Sequence, residues 1–290
     1  MRRRSPIPAA RRRAALGAAA LLAALLAAPG ARAQAPGLGA GAELVDPEVL
    51  RVCADPSNLP FSNDKGEGFE NKIADLIGQK LGKPVAYAYF PQVIGFVRNT
   101  LNAYRCDVVM GVAVGDDLVQ TTNPYYHTSY VLVVRKGSPL EGITQLSDPR
   151  LKGKRIGVVA NTPPASAMAA NGLLDHVKSY RLNVDTRIEA PAKDMVADIV
   201  SGDVDAGLLW GPIAGYWDLH EHLPLVLTPL ANENGLKMDF LIAMGVRRSD
   251  QAWKRDLNKI IGESQGEINH ILTEYGVPLL DDQGKPLAAP

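Results

Sequence analysis

Cysteine is scarce in this 290-residue chain, and several signatures of chemistry are missing from it. Only Cys53 and Cys106 are present, so cysteine-dependent catalysis is not expected. We find no Gly-rich phosphate loop, no Ser/His/Asp spacing and no set of metal ligands, and therefore predict no catalytic residues and no metal site. No internal repeat of solenoid period occurs, which excludes the array architectures.

Acidic residues are absent from the first 33 positions, which have the order of a secretory signal peptide. Six arginines lie within residues 2–13, residues 14–28 are almost wholly Ala and Leu, and Ala31-Arg32-Ala33 offers a cleavage site. An apolar stretch of 15 residues is shorter than the ~20 needed to span a bilayer, and no later segment approaches that length. We therefore expect export by the general or the twin-arginine route, and a soluble periplasmic protein beginning near Gln34.

Removal of this leader changes the charge of the protein. The leader contains seven of the 31 basic residues, so the mature chain has 24 basic and 31 acidic side chains. A net charge of about −7 repels nucleic acid and anionic membranes, and favours cationic partners. We expect neither nucleic-acid binding nor a transmembrane segment.

In an oxidising periplasm, a single pair of cysteines favours a disulfide between Cys53 and Cys106. This bond would close a loop of about 53 residues, which the chain-entropy model values at about 4 kcal/mol. The alternative is a pair of buried thiols on neighbouring strands.

Alternating strand and helix patterns predict two α/β units after a flexible lead at residues 34–46. In the first unit, buried-strand runs at residues 50–54, 85–90 and 107–110 alternate with helical patterns at 68–81 and 94–104. In the second, strands at 155–159, 177–182 and 204–210 alternate with helices at 165–172 and 193–201, and residues 225–227 add a further strand.

Two extended apolar runs, residues 130–135 and 239–244, predict two crossings between these units. A last helix over 251–275 would then pack back on the first unit. The fold class is therefore α/β, with the two-lobed type II periplasmic binding protein fold and a mostly parallel sheet flanked by helices in each lobe. We assign 47–131 and 239–290 to lobe 1, 135–236 to lobe 2, and hinges near 131–135 and 236–240.

Several motifs resemble those of the type 3 solute-binding proteins of bacterial uptake systems. They are Leu-Arg-Val-Cys-Ala-Asp at 50–55, Gly-Phe-Glu-Asn-Lys-Ile-Ala at 68–74, Asn-Pro-Tyr-Tyr at 123–126 and Gly-Asp-Val-Asp-Ala-Gly-Leu-Leu at 202–209. The longer strings at 53–63 and 106–111 are similar to the MxaJ/MoxJ and XoxJ type in particular. That resemblance implies a periplasmic accessory of methanol dehydrogenase, an enzyme that depends on pyrroloquinoline quinone (PQQ).

The groups that hold an amino acid in type 3 proteins are missing here. Counting back from Tyr125-Tyr126 places Gly115 where such proteins carry an Arg for the carboxylate, and Trp210 falls where they carry an Asp for the ammonium. Pro163 and Pro164 remove two backbone donors from a helix start that would otherwise favour an anion. An amino acid is therefore not the expected ligand.

Aromatic and polar residues on loops or strand ends suit ring stacking or a partner segment, although each could instead be a core contact. Tyr216 and Trp217 are among the aromatics placed on such loops, and His220-Glu221-His222 is expected to be an exposed loop. The candidates for the cleft are Asn58, Phe61, Arg98, Tyr125, Asn161, Thr162 and Trp210. The acidic pair Asp116 and Asp117 is the candidate for partner contact.

The favoured interpretation is a monomeric accessory, not an enzyme, that assists assembly or activation of PQQ-dependent methanol dehydrogenase. No cofactor is expected to bind tightly, although handling of PQQ is compatible with the resemblance. One alternative is an uptake receptor for an uncharged or aromatic metabolite. The other is an enzyme similar to cyclohexadienyl dehydratase.

Overall fold

A computed structural model of the protein describes residues 43–287. The predicted signal peptide and most of the predicted lead lie outside the described residues. Within them, no helix has the length and apolar character needed to cross a membrane. The elements follow in the order β1 Leu50–Ala54, β2 Ser57–Asn58, β3 Ser62–Asn63, α1 Phe69–Leu81, β4 Val85–Tyr89, α2 Phe96–Asn99, β5 Val108–Ala113, β6 Gln120–Arg135, β7 Ile156–Val159, α3 Pro163–Ala170, β8 Val177–Tyr180, α4 Pro191–Ser201, β9 Ala206–Trp210, α5 Gly211–Glu221, β10 Leu225–Pro229, β11 Asp239–Val246, α6 Gln251–Glu263 and α7 Gln265–Glu274.

Lobe 1 is built on β4, β1 and β5, which run parallel, followed by β11 and the first part of β6, which run antiparallel to their neighbours. Helix α1 covers this sheet because Phe69, Ile73 and Ile77 recur every four residues on one face, and all three are buried. Trp253 of α6 and Leu272 of α7 belong to the same core. The last two helices therefore return to lobe 1, as the sequence predicts.

Lobe 2 is built on β8, β7 and β9, which are parallel, while β6 lies antiparallel to both β9 and β10. Apolar residues fill both faces of this sheet, with Leu132 and Leu208 in one cluster and Val131 and Leu209 in the other. Strands that are buried on both faces have continuous apolar sequences, which explains the apolar runs in β6 and β9.

The 16-residue strand β6 is shared by the two lobes. Its residues Gln120 to Ser129 pair with β11, and Tyr130 to Val133 pair with β9. The described residues all belong to one compact unit. The two-lobed α/β fold is thus confirmed, with three parallel strands in each lobe, while the exact lobe and hinge boundaries given above stay predictions.

Cys53 and Cys106 form a disulfide in the structure, with their Cα atoms 5.3 Å apart, and this prediction is confirmed. Both cysteines are buried in a small cluster with Phe96 and Leu101. Beside it, the guanidinium of Arg247 donates to the Cys106 carbonyl at 2.6 Å. The bridge joins β1 to the chain two residues before β5, so it links neighbouring strands of the lobe 1 sheet.

Three helices differ from their predictions. Helix α2 covers only Phe96–Asn99, shorter than the predicted 94–104, and the predicted helix at 251–275 is divided at Ser264 into α6 and α7. The loop predicted around His220 was wrong, because Gly211–Glu221 forms helix α5. Pro212 lies in the first turn of α5, where its missing N–H has no intrahelical partner to lose.

Candidate functional site: the cleft between the lobes

A hydrogen-bonded latch joins the lobes at the end of β1. Asp55 is 1% exposed, and its carboxylate oxygens each lie 2.9 Å from the hydroxyl of Thr186, which donates from lobe 2. The backbone N–H groups of Ser57 and Gln92 donate to the same carboxylate at 2.8 and 2.6 Å. A buried charge with this many donors is stable only while they stay in place, so Asp55 favours contact between the lobes.

A second contact between the lobes is formed where α5 meets the chain that follows α7. A Cβ atom built on Gly215 would lie 1.9 Å from the carbonyl oxygen of Gly276, so the two backbones touch directly. The rings of Tyr216 and Tyr275 stack at 6.2 Å, and the Tyr275 hydroxyl donates to the Glu67 carbonyl at 2.5 Å. This contact requires glycine at both positions.

Trp210 provides a third contact between the lobes. It is the last residue of β9 in lobe 2, yet it packs on the hydrophobic core of lobe 1. Its ring centroid lies 4.9 Å from that of Tyr130 and 5.9 Å from that of Phe240, in edge-to-face arrangements. Such pairs are favourable beyond the area they bury. The position where type 3 proteins carry an Asp for an ammonium therefore holds an interlobe packing residue.

A cavity of about 160 Å³ lies beside the latch. Lobe 1 contributes Ser57, Asn58 and Leu59 to its wall, and lobe 2 contributes residues of the segment 181–193 together with Ile213 and Trp217 of α5. Its cations have partners already: Arg181 forms an ion pair with Glu189, while the Lys193 ammonium lies 4.5 Å from the Trp217 ring centroid and 3.6 Å from Glu221. This cavity is smaller than the ~300 Å³ at which typical small-molecule sites begin.

A wider groove of about 640 Å³ runs along lobe 1 from the latch. Val93, Phe96, Val109 and Val112 give it an apolar wall, and Asn183 reaches it from lobe 2. Arg98 and Asp116 line its edge. Neither Asp116 nor Asp117 forms an ion pair within the described residues, although Arg248 donates to the Asp117 backbone carbonyl at 2.8 Å.

Glu70, in the first turn of α1, directs its carboxylate at Gly111, which lines the groove. A Cβ atom on residue 111 would lie 2.2 Å from the Glu70 Oε1 atom, so the glycine makes room for the carboxylate. Within residues 43–287 this carboxylate has no hydrogen-bond partner. Burial, and to a smaller extent the negative charge of Asp55, raises the pKa of Glu70 to about 8.

Two of the predicted cleft residues, Asn58 and Arg98, line the cavity and the groove. The Asn58 amide donates to the Gln92 side chain at 2.8 Å. Trp210 lines neither opening but packs from lobe 2 on the core of lobe 1 as described. Phe61 packs within lobe 1 against Phe69, at 5.3 Å between ring centroids, and also lines neither opening.

The other three predicted residues lie elsewhere. Tyr125 is 1% exposed in the lobe 1 core, where its hydroxyl donates to the Met110 carbonyl at 2.8 Å, so its predicted place in the cleft is corrected. Thr162 is buried and donates to the Val159 carbonyl at 2.6 Å. Asn161 is exposed, and neither it nor Thr162 lines the cavity or the groove.

Sequence reasoning missed Asp55, Glu70 and Thr186 as cleft residues. Asp55 does carry a signal, because it follows a parallel strand directly, and ligands of open α/β sheets bind at the carboxyl ends of strands. Glu70 lies in the first turn of a helix, where an acid is ordinarily explained by the helix dipole. No local signal marks Thr186, because its role depends on how the two lobes meet.

Comparisons with known proteins agree with this architecture. The profile of the bacterial extracellular solute-binding proteins, family 3, matches residues 50–278. Protein MoxJ of Methylorubrum extorquens AM1 is 34% identical over 294 residues, covering 93% of this chain and 97% of MoxJ. The crystal structure of periplasmic binding protein XoxJ from Methylobacterium extorquens AM1 is 39% identical with a TM-score of 0.69, covering 81% of this chain and 100% of XoxJ.

The crystal structure of MxaJ from Methlophaga aminisulfidivorans MPT is 25% identical with a TM-score of 0.68, and the match covers 80% of this chain and 100% of MxaJ. The family match spans both lobes, and the similarity to MoxJ extends over nearly the whole chain. The chain therefore belongs to the bacterial extracellular solute-binding proteins of family 3, and within that family it is of the MoxJ/XoxJ type.

Proposed function

We propose that this protein is a monomeric periplasmic accessory of methanol oxidation, which binds a PQQ-dependent methanol dehydrogenase and assists its assembly or activation without catalysing a reaction itself. The dehydrogenase comes from the resemblance described above, and the similarity to MoxJ and XoxJ supports it. XoxJ is a periplasmic binding protein, which supports the same location for this chain.

The observation that carries this proposal is the place of Trp210 between the lobes. An uptake receptor closes its lobes around a solute, and the solute then supplies much of the contact between them. Here the protein's own side chain supplies that contact, packed on the core of lobe 1 and on Tyr130 and Phe240. Residues 111–120 also contain no arginine for a carboxylate. The cleft is thus better suited to keeping the lobes together than to capturing a solute.

The cavity does not fit PQQ, which is a flat three-ring compound with three carboxylates. About 160 Å³ is too small for three fused rings, and both cations in the wall have acidic partners, Arg181 with Glu189 and Lys193 with Glu221. We therefore propose that this cavity does not hold the cofactor and that the accessory acts on the dehydrogenase protein.

The test is direct binding of the mature protein to purified methanol dehydrogenase, measured by biolayer interferometry at low and physiological salt. We expect binding that weakens with salt, because the mature chain carries a net charge of about −7 and favours a basic partner. Absence of binding at both salt concentrations would contradict the proposal. Binding that is equally strong at both would contradict its electrostatic part.

A second candidate function is a receptor for an uncharged or aromatic metabolite, which the cavity with Trp217 and Asn58 in its wall favours. Such a receptor would show a rise in melting temperature with its solute, because a ligand that binds only the folded state stabilises it. We expect no rise in a screen of aromatic and uncharged metabolites at about 1 mM.

A further inference from the structure

The most exposed aliphatic side chains of the described residues gather at the mouth of the cleft. Ile94, Ile188 and Leu118 are 83%, 79% and 66% exposed, more than any other large hydrophobic side chain in that part of the chain. Val114 and Leu182 are 46% and 48% exposed. Single exposed apolar residues are ordinary, but five at one place need an explanation. We call these five residues the mouth patch.

The contacts of the cleft hold the mouth patch together. Ile94 and Leu118 line the same groove, and Asn183, which follows Leu182, reaches that groove from lobe 2. Ile188 lies two residues after Thr186, whose hydroxyl bonds to Asp55, and Asp55 in turn binds the N–H of Gln92, two residues before Ile94. The mouth patch therefore spans both lobes at the latch.

The size of the mouth patch decides what can cover it. A small solute in the groove would contact the groove wall, but Val114 and Ile188 line neither the groove nor the cavity and would stay in water. Together the five side chains present several hundred Å² of apolar surface. A standard protein interface buries about 800 Å² on each partner, with an apolar centre, so the mouth patch has the extent of such a centre.

Two acidic residues beside the mouth patch indicate the charge expected on the partner. Asp116 and Asp117 lie between Val114 and Leu118 in the chain, and neither carboxylate has an ion pair in the described residues. An apolar surface with two unpaired carboxylates at its edge complements apolar side chains flanked by Lys or Arg.

We propose that the mouth patch is the docking surface for a protein partner whose surface presents apolar side chains flanked by basic ones. The inference rests on the proposed function, and places the contact with the dehydrogenase at the mouth of the cleft. The latch and Trp210 keep the lobe 1 and lobe 2 residues of the mouth patch in fixed positions relative to each other. Binding therefore requires no movement of the lobes.

The test compares two triple variants for binding to purified methanol dehydrogenase by biolayer interferometry. The first, Ile94→Ser, Leu118→Ser and Ile188→Ser, removes the centre of the mouth patch. The second, Leu174→Ser, Leu219→Ser and Val200→Ser, is the matched control, because these side chains are also exposed but line neither the cavity nor the groove. All six positions lie at the surface, and circular dichroism and the melting temperature check the fold.

We expect the first variant to raise the Kd at least about 30-fold and the control to change it less than about 3-fold. Equal Kd values for wild type and the first variant would overturn the docking surface and leave the proposed function standing. Weaker binding of the control variant alone would also overturn it, and would place the interface on the outer face of lobe 2. If the wild type does not bind the dehydrogenase, the proposed function and the docking surface both fail.

Discussion

At the scale of single residues, the carboxylate of Glu70 is closely surrounded by protein yet receives no hydrogen bond within the described residues. Its carboxylate is placed against Gly111 and near Asp55, with no hydrogen-bond donor among the described residues. Its pKa of about 8 lies well above the ordinary value of 4.5, because burial favours the neutral acid. Near neutral pH this side chain is therefore a neutral acid in the folded protein and a carboxylate in the unfolded chain.

A Glu70→Gln variant tests this difference. Between pH 4.5 and about 8 the folded state holds a proton that the unfolded state has lost, so the free energy of unfolding falls as pH rises through this window. The loss is at most about 5 kcal/mol, and partial exposure to water reduces it. We expect the variant to match the wild type near pH 5 and to be more stable near pH 8.5, measured by urea unfolding.

Asp75→Asn is the matched control for that experiment, since Asp75 is an exposed acid on the same helix. It should follow the wild type at both pH values. A Glu70→Gln variant that is no more stable than the wild type near pH 8.5 would show that the carboxylate is well solvated.

Residues of the candidate site could be predicted where a strand end fixes their place. Trp210 ends the parallel strand β9 and Asn58 lies shortly after the parallel strand β1, and the carboxyl ends of such strands meet at the junction of the lobes. Tyr125 could not be placed, because the pairing of β6 with β11 shifts register between Ile242 and Ala243. A shift of one residue exchanges the faces of a strand, and Tyr125 and Tyr126 are both buried here, which simple alternation does not predict.

At the scale of elements, the same substitution of glycine by alanine should have opposite effects on stability in α5 and in α6. The reason is that α5 contacts the chain after α7 directly. Alanine normally stabilises a helix relative to glycine by about 1 kcal/mol. In α6, Gly262 has open space around its Cβ position, so Gly262→Ala should stabilise the protein. In α5, a Cβ atom on Gly215 would overlap the Gly276 carbonyl, so Gly215→Ala should destabilise it by about 1–3 kcal/mol.

Urea unfolding of both variants measures the difference. Stabilisation by Gly215→Ala equal to that by Gly262→Ala would mean that α5 and residue 276 do not touch in solution.

The order of strands and helices could largely be predicted, since buried parallel strands give short apolar runs and α1 has a clear helical spacing. Helix α5 could not, because its sequence Gly-Pro-Ile-Ala-Gly contains residues typical of turns. Its formation depends on tertiary contacts with β6, β9 and β10, and on the close approach that its glycine allows. The break at Ser264 has only a weak local signal, since Gly262 and Gly266 lie two residues to either side of it but both are themselves helical.

At the scale of the whole molecule, the latch, Trp210 and the Gly215–Gly276 contact predict lobes that stay closed without a solute. Small-angle X-ray scattering should give the mature wild-type protein a radius of gyration of about 18 Å, the value for a compact chain of this length. A variant with Thr186→Val and Trp210→Ala loses two of the three contacts and should show a larger radius. An identical radius for both, or a wild-type value that falls when metabolites are added, would contradict permanent closure.

The shared strand β6 also determines the order in which the protein can be completed during its synthesis. A chain that ends at residue 229 contains all strands of lobe 2, whereas lobe 1 still lacks β11, α6 and α7 at that point. Because β11 lies between β5 and β6, the sheet of lobe 1 cannot close until the last fifth of the chain is available. The lobe that begins first is therefore the lobe that finishes last, and an unfinished chain exposes the edge of β5 to other unfolded chains.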